Sequence, residues 1–198
     1  MSAPPAGSVA EAESPRDAVN VIRWALLFGN FAIGCGVMVV AGSLNDLIGS
    51  LQVSVALGGQ LIAVAAVAMA VGAPLLAATL GRMDRRTLLA ASLAWYAVGH
   101  ALCALAPSLA SLTPLRAATV LAAAVFTPQA AAAMGWLAPP AQRAGAITFI
   151  FLGWSVASVF GMPLHSFIGE TFGWRWAFAL VGVLAAGGAV WVLSLIHI

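Results

Sequence analysis

The stretch GAPLLAATLGRMDRR, Gly72 to Arg86, joins two long apolar runs through a short charged turn. The turn carries Arg82 and Arg85 besides Arg86, with Asp84 among them. Each flanking run reaches the roughly 20 apolar residues that a helix needs to cross a bilayer core. Because arginines close to a span are retained on the cytoplasmic side, we interpret the stretch as a cytoplasmic elbow between two membrane-spanning helices.

The composition of the chain indicates a polytopic membrane protein. Of 198 residues, 63% are hydrophobic and 7% are charged, whereas soluble domains are about 25% charged. The net charge of +2 comes from arginines without any lysine. No basic face is large enough to hold a phosphate backbone, so a nucleic-acid partner is not expected. Cys35 and Cys103 lie in predicted spans without a CxxC neighbour, so we predict neither a metal site nor a cofactor.

The apolar runs predict an all-α fold with six transmembrane helices. We expect a disordered cytoplasmic tail over 1–20, a six-helix bundle over 21–193 and a truncated or artefactual end over 194–198. A polar outer loop with Asn45, Asp46 and Gln52 is expected between the first two spans. The predicted spans are 24–44, 53–79, 87–106, 109–137, 144–168 and 174–193.

The arginines also predict the orientation of the helices. One arginine, Arg175, falls on the outer side and Arg116 lies within the fourth span. Six fall on the inner side of this topology: Arg16, Arg23, Arg82, Arg85, Arg86 and Arg143. This asymmetry predicts a multi-pass protein of the cell inner membrane with both termini in the cytoplasm.

Arg116 is the charged residue whose position in the membrane costs the most free energy. Arginine near the bilayer centre costs at least about 2.5 kcal/mol and requires a partner or a wet cavity. In one interpretation it is a functional intramembrane cation. In the other, Thr113 caps and Pro114 opens the fourth helix, so that Arg116 extends outward from the first turn. We favour the functional interpretation.

The fifth span carries a ridge of small residues. The ridge, which repeats every four residues, consists of Gly153, Ala157, Gly161, His165 and Gly169. Small residues let another backbone approach closely, and we expect this ridge to mark the place where a second half docks. Pro163 is expected to bend it. His165 either lines an aqueous cavity and titrates there or caps the outer end of the helix in wet surroundings, and we favour the second.

Several fragments together resemble the major facilitator superfamily, and within it the drug and sugar efflux branch of the arabinose efflux permease type. The fragments are FAIG and VVAG (31–34 and 39–42), GAPLLAA before the arginines, Arg116 in helix four, GMPL (161–164) and GWRWAF (173–178). Members have twelve helices in two related halves, so the resemblance implies a missing C-terminal six-helix half. It further implies a small-molecule substrate, a lipid environment, coupling to protons and alternating access.

The resemblance assigns roles to single residues. Arg116 matches the arginine linked to proton coupling. Conformational motifs are implied at the elbow, at Gly72, Arg82, Asp84, Arg85 and Arg86, and in the fifth span at Gly153, Gly161 and Pro163. The family's locking acid aligns with Gly81, so either Asp84 substitutes for it or the lock is weakened.

Four further polar residues are candidates to line a cavity for a small polar or amphipathic solute: Asn30, Thr127, Gln129 and Trp154. Hydrogen bonding between helices would explain them equally well. No acid lies in any predicted span, so proton coupling through a carboxylate of this half is not expected. His100 is expected to be a hydrogen-bonded packing residue.

The sequence therefore predicts the N-terminal half of a secondary transporter that exports small molecules such as drugs or sugars. A stand-alone six-helix protein that assists a partner is the main alternative. An intramembrane serine protease built on Ser155, with His100 or His165 as base, is disfavoured because Val156 replaces the glycine of the GxSxG pattern. We expect no enzyme activity.

Overall fold

The computed structural model describes residues 15–195, which are almost entirely helical. A 3₁₀ turn, Pro140–Gln142, and a π-helical turn, Ala157–Gly161, lie beside the fifth span. Within this range there are eight α-helices: α1 (Pro15–Gly42), α2 (Leu44–Leu51), α3 (Val55–Leu80), α4 (Arg85–Ala104), α5 (Leu109–Leu137), α6 (Arg143–Val156), α7 (Met162–Phe172) and α8 (Trp174–Ser194).

Six helical stretches of the described chain are long and apolar enough to cross a membrane. They are Ala18–Gly42, Val55–Leu80, Arg85–Ala104, Leu109–Leu137, Pro140–Phe172 and Trp174–Ser194. The fifth stretch combines α6, the π-helical turn and α7. The all-α, six-span fold expected from the apolar runs is therefore confirmed.

The first helix begins earlier than the sequence indicated. The tail was expected to extend to residue 20, yet α1 already begins at Pro15. Proline suits the first turn of a helix, where its missing N–H has no intrahelical partner. The helix therefore extends beyond the apolar run that predicted its start at Trp24. Residues 1–14 of the expected tail and 196–198 of the expected artefactual end lie outside the described residues.

The polar segment after α1 is a short helix rather than the expected loop. α2 covers Leu44–Leu51 and ends at Gln52, whose positive φ of 53° closes the helix. Leu47 of α2 is completely buried. Apolar residues at positions 44, 47, 48 and 51 give the segment one apolar face, which explains why it folds against the bundle.

α1 is the central helix of the bundle. It contacts each of the other α-helices, whereas α4 packs mainly against α8 and α5, and α3 packs mainly against α5. In the most apolar window of α1, 61% of the residues are buried, compared with 11% in α3 and 22% in the fifth span. The broad unpartnered faces of the bundle therefore belong to α3 and to α6–α7.

A π-helical turn lies where the fifth span contains its proline. Pro163 has no N–H to donate to the carbonyl four residues earlier, so a regular α-helical ladder is interrupted there. The turn Ala157–Gly161 directly precedes this position. A π-helical turn wraps more residues than an α-helical one and so reduces the angular drift of a four-residue repeat. It thereby keeps the small-residue ridge facing one neighbour.

Candidate functional site

Arg116 lies well inside α5 and not in its first turn. The helix begins at Leu109, where Ser108 and Ser111 form a reciprocal capping box. The interpretation that Thr113 and Pro114 open the helix is therefore wrong, since a complete cap stands one turn earlier. Arg116 is 1% exposed, so it does not extend outward to the lipid headgroups.

The guanidinium of Arg116 binds neutral groups of two other helices. Nη2 donates to the carbonyl oxygens of Gly36 at 2.8 Å and Val37 at 3.3 Å, both on α1. Nη1 lies 3.3 Å from Nε2 of His100 on α4. Nε of Arg116 has no hydrogen-bond partner among the described residues. The buried cation is thus held by carbonyl dipoles and an imidazole, not by a carboxylate.

Side chains of three helices converge on one stretch of α1. Tyr96 Oη of α4 donates to the Ile33 carbonyl at 3.0 Å, and His165 Nε2 of α7 lies 3.0 Å from the Cys35 carbonyl. With the bonds of Arg116, four carbonyls between Ile33 and Val37 accept side-chain donors, and we call them the α1 carbonyl cluster. These carbonyl oxygens also accept backbone hydrogen bonds within α1. Each side-chain donor therefore competes with the helical hydrogen bond of the same carbonyl.

A glycine makes the carbonyl cluster accessible. A Cβ on Gly36 would overlap the hydroxyl and ring of Tyr96, so any side chain at this position would displace Tyr96. The stretch from Cys35 to Val37 carries no charged side chain, and its backbone carbonyls make the polar contacts instead.

Three of the four predicted cavity residues lie together between α1, α5 and α6. Thr127 Oγ1 donates to Asn30 Oδ1 at 3.0 Å and accepts from Trp154 Nε1 at 3.5 Å. Asn30 Nδ2 donates to the Ile150 carbonyl at 3.3 Å. Asn30 is fully buried, whereas Thr127 and Trp154 are half-buried. The arrangement ties the helices together and leaves part of Trp154 and Thr127 accessible.

Gln129 lies apart from this group. It borders a cavity of about 320 Å³ between α3 and α5, which is lined mostly by alanine, leucine and proline side chains. Gln129 lies two positions after Thr127 along α5, which turns its side chain by roughly 200° around the helix. Gln129 therefore faces a different surface from Thr127, and its role in lining a solute cavity stays a prediction.

The small-residue ridge of the fifth span is occupied by α1. A Cβ on Gly153 would overlap the Leu27 carbonyl and lie 2.8 Å from the Phe31 nitrogen, while Ala157 fills the space beside Gly34. The ridge therefore closes the six-helix half itself, and the expectation that it marks the docking place of a second half is wrong. Periodicity showed that a backbone approaches but not which backbone.

His165 is fully buried, so neither expectation for its surroundings holds. It does not line an aqueous cavity, and it does not cap a helix end in wet surroundings. Its Cβ lies against Gly42, where an added Cβ would overlap it. Its Nδ1 has no hydrogen-bond partner within residues 15–195.

Three of the charged elbow residues, Asp84, Arg85 and Arg86, each have a structural partner in the bundle. Asp84 caps α4, because its carboxylate accepts from the backbone N–H and the hydroxyl of Thr87, both at 2.9 Å. Both bonds keep the pKa of Asp84 below its usual value, and the bond from the backbone N–H contributes most. The charge of Arg86 lowers the pKa further. Within the described residues, Asp84 thus caps its own helix and bonds to no neighbouring helix end.

The elbow arginines contact the ends of two other helices. The Arg85 guanidinium lies 5.4 Å from the ring centre of Trp136 near the end of α5. Arg86 Nη2 donates to the Leu193 carbonyl in the last turn of α8. Arg82 is exposed. Cations at helix C-termini interact favourably with the free carbonyls there, so Arg86 stabilises the end of α8.

Gly72 and Pro163 act on the packing of their own spans. Gly72 is buried where a Cβ would overlap the side chain of Leu121 on α5. Pro163 stands in the first turn of α7, after the π-helical turn. Gly161 lies beside Cys35, with 3.5 Å between its Cβ position and Sγ.

Sequence reasoning underrated His100 and missed Tyr96 and Gly36. His100 is hydrogen-bonded and buried as predicted, but its partner is Arg116. The signal was present, because α4 and α5 form an antiparallel hairpin. His100 and Arg116 each stand eight residues from Ser108, so the two helices bring them to the same depth. Nothing in the sequence pattern indicated that α1 carbonyls would be their common target.

Metal binding has no support in the described part of the chain, where no three His, Cys, Asp or Glu side chains group closely enough to hold an ion. Six apolar helices around a buried cation define this chain as a multi-pass membrane protein. A family model, the Major Facilitator Superfamily, matches residues 26–197, and the chain therefore belongs to this family. The resemblance noted from the sequence fragments is confirmed.

Relatives and one solved structure cover most of the chain. The uncharacterized MFS-type transporter YwfA of Bacillus subtilis is 37% identical over 158 residues, which cover 80% of this chain and 38% of that protein. A chloramphenicol resistance protein of Streptomyces lividans is 33% identical over 165 residues, 83% of this chain and 42% of that protein. The chain therefore spans less than half the length of these relatives.

The fold matches that of a bacterial homolog of the human lysosomal transporter Spinster, solved in an inward-facing and unoccupied conformation. The TM-score is 0.77 at 21% identity, covering 91% of this chain and 43% of the other. This likeness concerns the fold alone. The described bundle is the N-terminal six-helix half of a major facilitator fold.

Proposed function

We propose that the chain is the N-terminal half of a secondary transporter of the bacterial inner membrane, which exports small molecules such as drugs or sugars by proton antiport and alternating access. The observation that carries this proposal is the buried Arg116, which joins α5 to the carbonyl cluster of the central helix. An intramembrane cation is costly, and its usual justification is a substrate or ion pathway. Relatives named for transport and for chloramphenicol resistance also support the export of small molecules.

The second half of the transporter is proposed to dock on the helices with the fewest buried residues, α3 and the fifth span. In folds of this kind the solute binds near the bilayer midplane between the two halves. Trp154 and Thr127 would contribute an aromatic face and a hydroxyl to that site. Both groups suit a small neutral or amphipathic solute such as an amphenicol or a sugar.

The main alternative is a stand-alone six-helix protein that assists a partner. The length of the relatives favours the transporter half over this alternative. The uninterrupted gene sequence beyond Leu193 distinguishes the two, because a transporter requires a second six-helix segment. The protease alternative gains no support, since His100 and His165 contact carbonyls of α4 and α1 rather than Ser155.

The experiment that tests the proposal measures export by the full-length version in inverted membrane vesicles under an imposed proton gradient, with chloramphenicol and a labelled sugar as probes. Arg116→Ala is expected to insert normally and to lose export. The matched control is Arg175→Ala, which removes an arginine that donates to a carbonyl, that of Ala106 at 3.0 Å, outside the carbonyl cluster.

The control is expected to retain export, which shows that losing any arginine-to-carbonyl bond is not sufficient. Unchanged export by Arg116→Ala would remove Arg116 from the mechanism. Absence of export by the unmodified protein for every probe, despite normal insertion, would contradict the proposed substrate classes.

A further inference from the structure

A groove of about 530 Å³ runs along the outside of the bundle between α4 and α8. The two helices pack closely there, because a Cβ on Gly182 of α8 would lie only 3.3 Å from the Ala97 carbonyl oxygen of α4. Larger exposed side chains border the groove, Val98 and Leu105 on α4 and Val183 on α8. Every side chain that lines it is apolar. The groove therefore offers an elongated apolar surface on the outside of the protein.

Arg175 lies at the end of this groove that is nearest the Pro107 turn. Its Nη2 donates to the Ala106 carbonyl at 3.0 Å, and the preceding residue, Leu105, lines the groove. Arg175 also stands four positions before Ala179, another lining residue, and residues four apart lie on the same face of a helix. The groove thus has a cation at one end and an apolar surface along its length.

The guanidinium of Arg175 is held in place while several of its donors stay free. Its central carbon lies 4.5 Å from the ring centre of Trp174, and Ser50 in turn accepts from the Trp174 ring nitrogen. Among residues 15–195 its one hydrogen bond is that to the Ala106 carbonyl, so Nε and Nη1 have no protein partner there. Arg175 is exposed. A positioned guanidinium with free N–H groups suits the oxygens of a phosphate.

The position of the groove favours a lipid as its occupant. Neither α4 nor α8 belongs to the surface proposed for the second half, which consists of α3 and the fifth span. A second copy inserted in the same direction would bring its own Arg175 to the same depth, where the two cations repel each other. A phospholipid instead brings an apolar chain for the groove and a negative charge for the arginine.

We propose that the groove and Arg175 form a binding site for an anionic phospholipid, with one acyl chain between α4 and α8 and the phosphate on Nε and Nη1 of Arg175. A zwitterionic phospholipid carries an ammonium beside its phosphate and is attracted less, so the site selects the anionic headgroup. The inference does not depend on the proposed transport. The groove lies away from the proposed solute path, so Arg175→Ala remains a valid control for export.

The first test places the 198-residue chain in phosphatidylcholine nanodiscs with a trace of photoactivatable phosphatidylglycerol or, separately, of phosphatidylcholine with the same photoactivatable chain. Mass spectrometry measures the label on the groove segments, 97–105 and 179–186, and on 55–67 of α3 at the same end of the bundle. The ratio of anionic to zwitterionic label is expected to be about fivefold higher on the groove, the effect of one arginine on an anionic lipid. Equal ratios at the two places would overturn the proposal.

The second test removes the charge at the end of the groove. Arg175→Gln keeps an amide that can donate to the Ala106 carbonyl, and it is expected to reduce the label ratio on the groove to that on α3. The matched control is Arg82→Gln, which removes an exposed arginine at the opposite end of the bundle and is expected to keep the wild-type ratio. The same loss in both variants would show that net charge alone attracts the lipid, which contradicts a site at Arg175.

The third test fills the groove. Ala186→Phe places a ring where the acyl chain is proposed to lie, so both labels on the groove are expected to fall several-fold. Ala66→Phe changes an equally exposed alanine on α3 and is expected to leave the labelling of the groove unchanged. Unchanged labelling in Ala186→Phe would overturn the proposal.

Two further outcomes complete the experiment. A dimer that protects the groove from both labels would assign the groove to a second copy and would also overturn the proposal. Labelling of the unmodified chain decides the question even where a variant fails to insert. Because none of these measurements uses export, the lipid site and the transport proposal can fail separately.

Discussion

Gly153 illustrates how single residues determine the approach of helices in this bundle. Its Cα faces the backbone of α1, and the atoms that a Cβ would meet are the Leu27 carbonyl and the Phe31 nitrogen. Backbone atoms cannot turn aside as a flexible side chain can, so the helices would have to separate. The contact of α6 with the central helix therefore depends on the absence of a side chain.

We predict that Gly153→Ala lowers the stability of the chain by about 1–3 kcal/mol, the usual effect of overpacking a filled interior. Thermal unfolding in detergent, followed by size-exclusion chromatography of heated samples, measures the change. The matched control is Gly187→Ala on α8, where nothing lies within 4 Å of the Cβ position. That substitution should leave the unfolding temperature unchanged or raise it slightly. Equal effects of the two substitutions would contradict the packing argument.

At the scale of elements, the ends of the helices are held by side chains from other segments. Asp46 of α2 accepts from the Trp174 backbone N–H at 2.6 Å and so caps the start of α8. Ser50 of α2 accepts from the Trp174 ring nitrogen, also at 2.6 Å. Arg86 binds the opposite end of α8. The short helix α2 and the elbow thus fix α8 at both of its ends.

The elbow gives a prediction about pH. The pKa of Asp84 is lower in the folded chain than in an unfolded one, because the Thr87 N–H and hydroxyl donate to the ionised carboxylate. Its ionised form therefore adds stability above the unfolded pKa of about 3.9, and this contribution is lost as the pH falls through the lower folded value.

Asp84→Asn keeps an amide oxygen for the cap but cannot ionise. The unfolding temperature of the wild type is expected to exceed that of Asp84→Asn slightly at neutral pH, with the difference vanishing in strong acid. The effect is small because Asp84 is fully exposed. A difference that stays constant from neutral to acidic pH would show that the ionised cap contributes nothing.

At the scale of the whole molecule, the distribution of charge predicts how the bundle is oriented in the bilayer. The elbow arginines lie at one end of the α3–α4 pair, and the turn at Pro107 lies at the opposite end of α4. The six-to-one distribution of arginines predicts that the elbow faces the cytoplasm. Orientation remains a proposal that rests on this rule.

Cysteine labelling in intact cells checks the orientation. Pro107→Cys and Met83→Cys place single thiols in the two exposed turns, and the native Cys35 and Cys103 are buried and give little background. A membrane-impermeant maleimide is expected to label position 107 in intact cells and position 83 only after permeabilisation. Labelling of both positions from the same side would contradict the six-span topology.

Much of the fold was predictable because each span must satisfy its backbone internally and bury an apolar surface in lipid, which leaves a pattern readable residue by residue. Errors occurred where that pattern is short or ends: α2 was expected as a loop, and the start of α1 was placed too late. The site residues stay a prediction. The structure brings Asn30, Thr127 and Trp154 together and turns Gln129 to another face of α5, which the sequence pattern did not indicate.

The sequence by itself determined the number of spans, the family and the presence of a costly buried cation, because apolar length and charge are properties of consecutive residues. Only the tertiary structure decided that His100 is the partner of Arg116, that α1 fills the small-residue ridge and that backbone carbonyls of α1 receive the polar side chains. These contacts join residues up to 130 positions apart. Every residue has the same backbone oxygen, so only the packing of the helices shows which carbonyls accept side-chain donors.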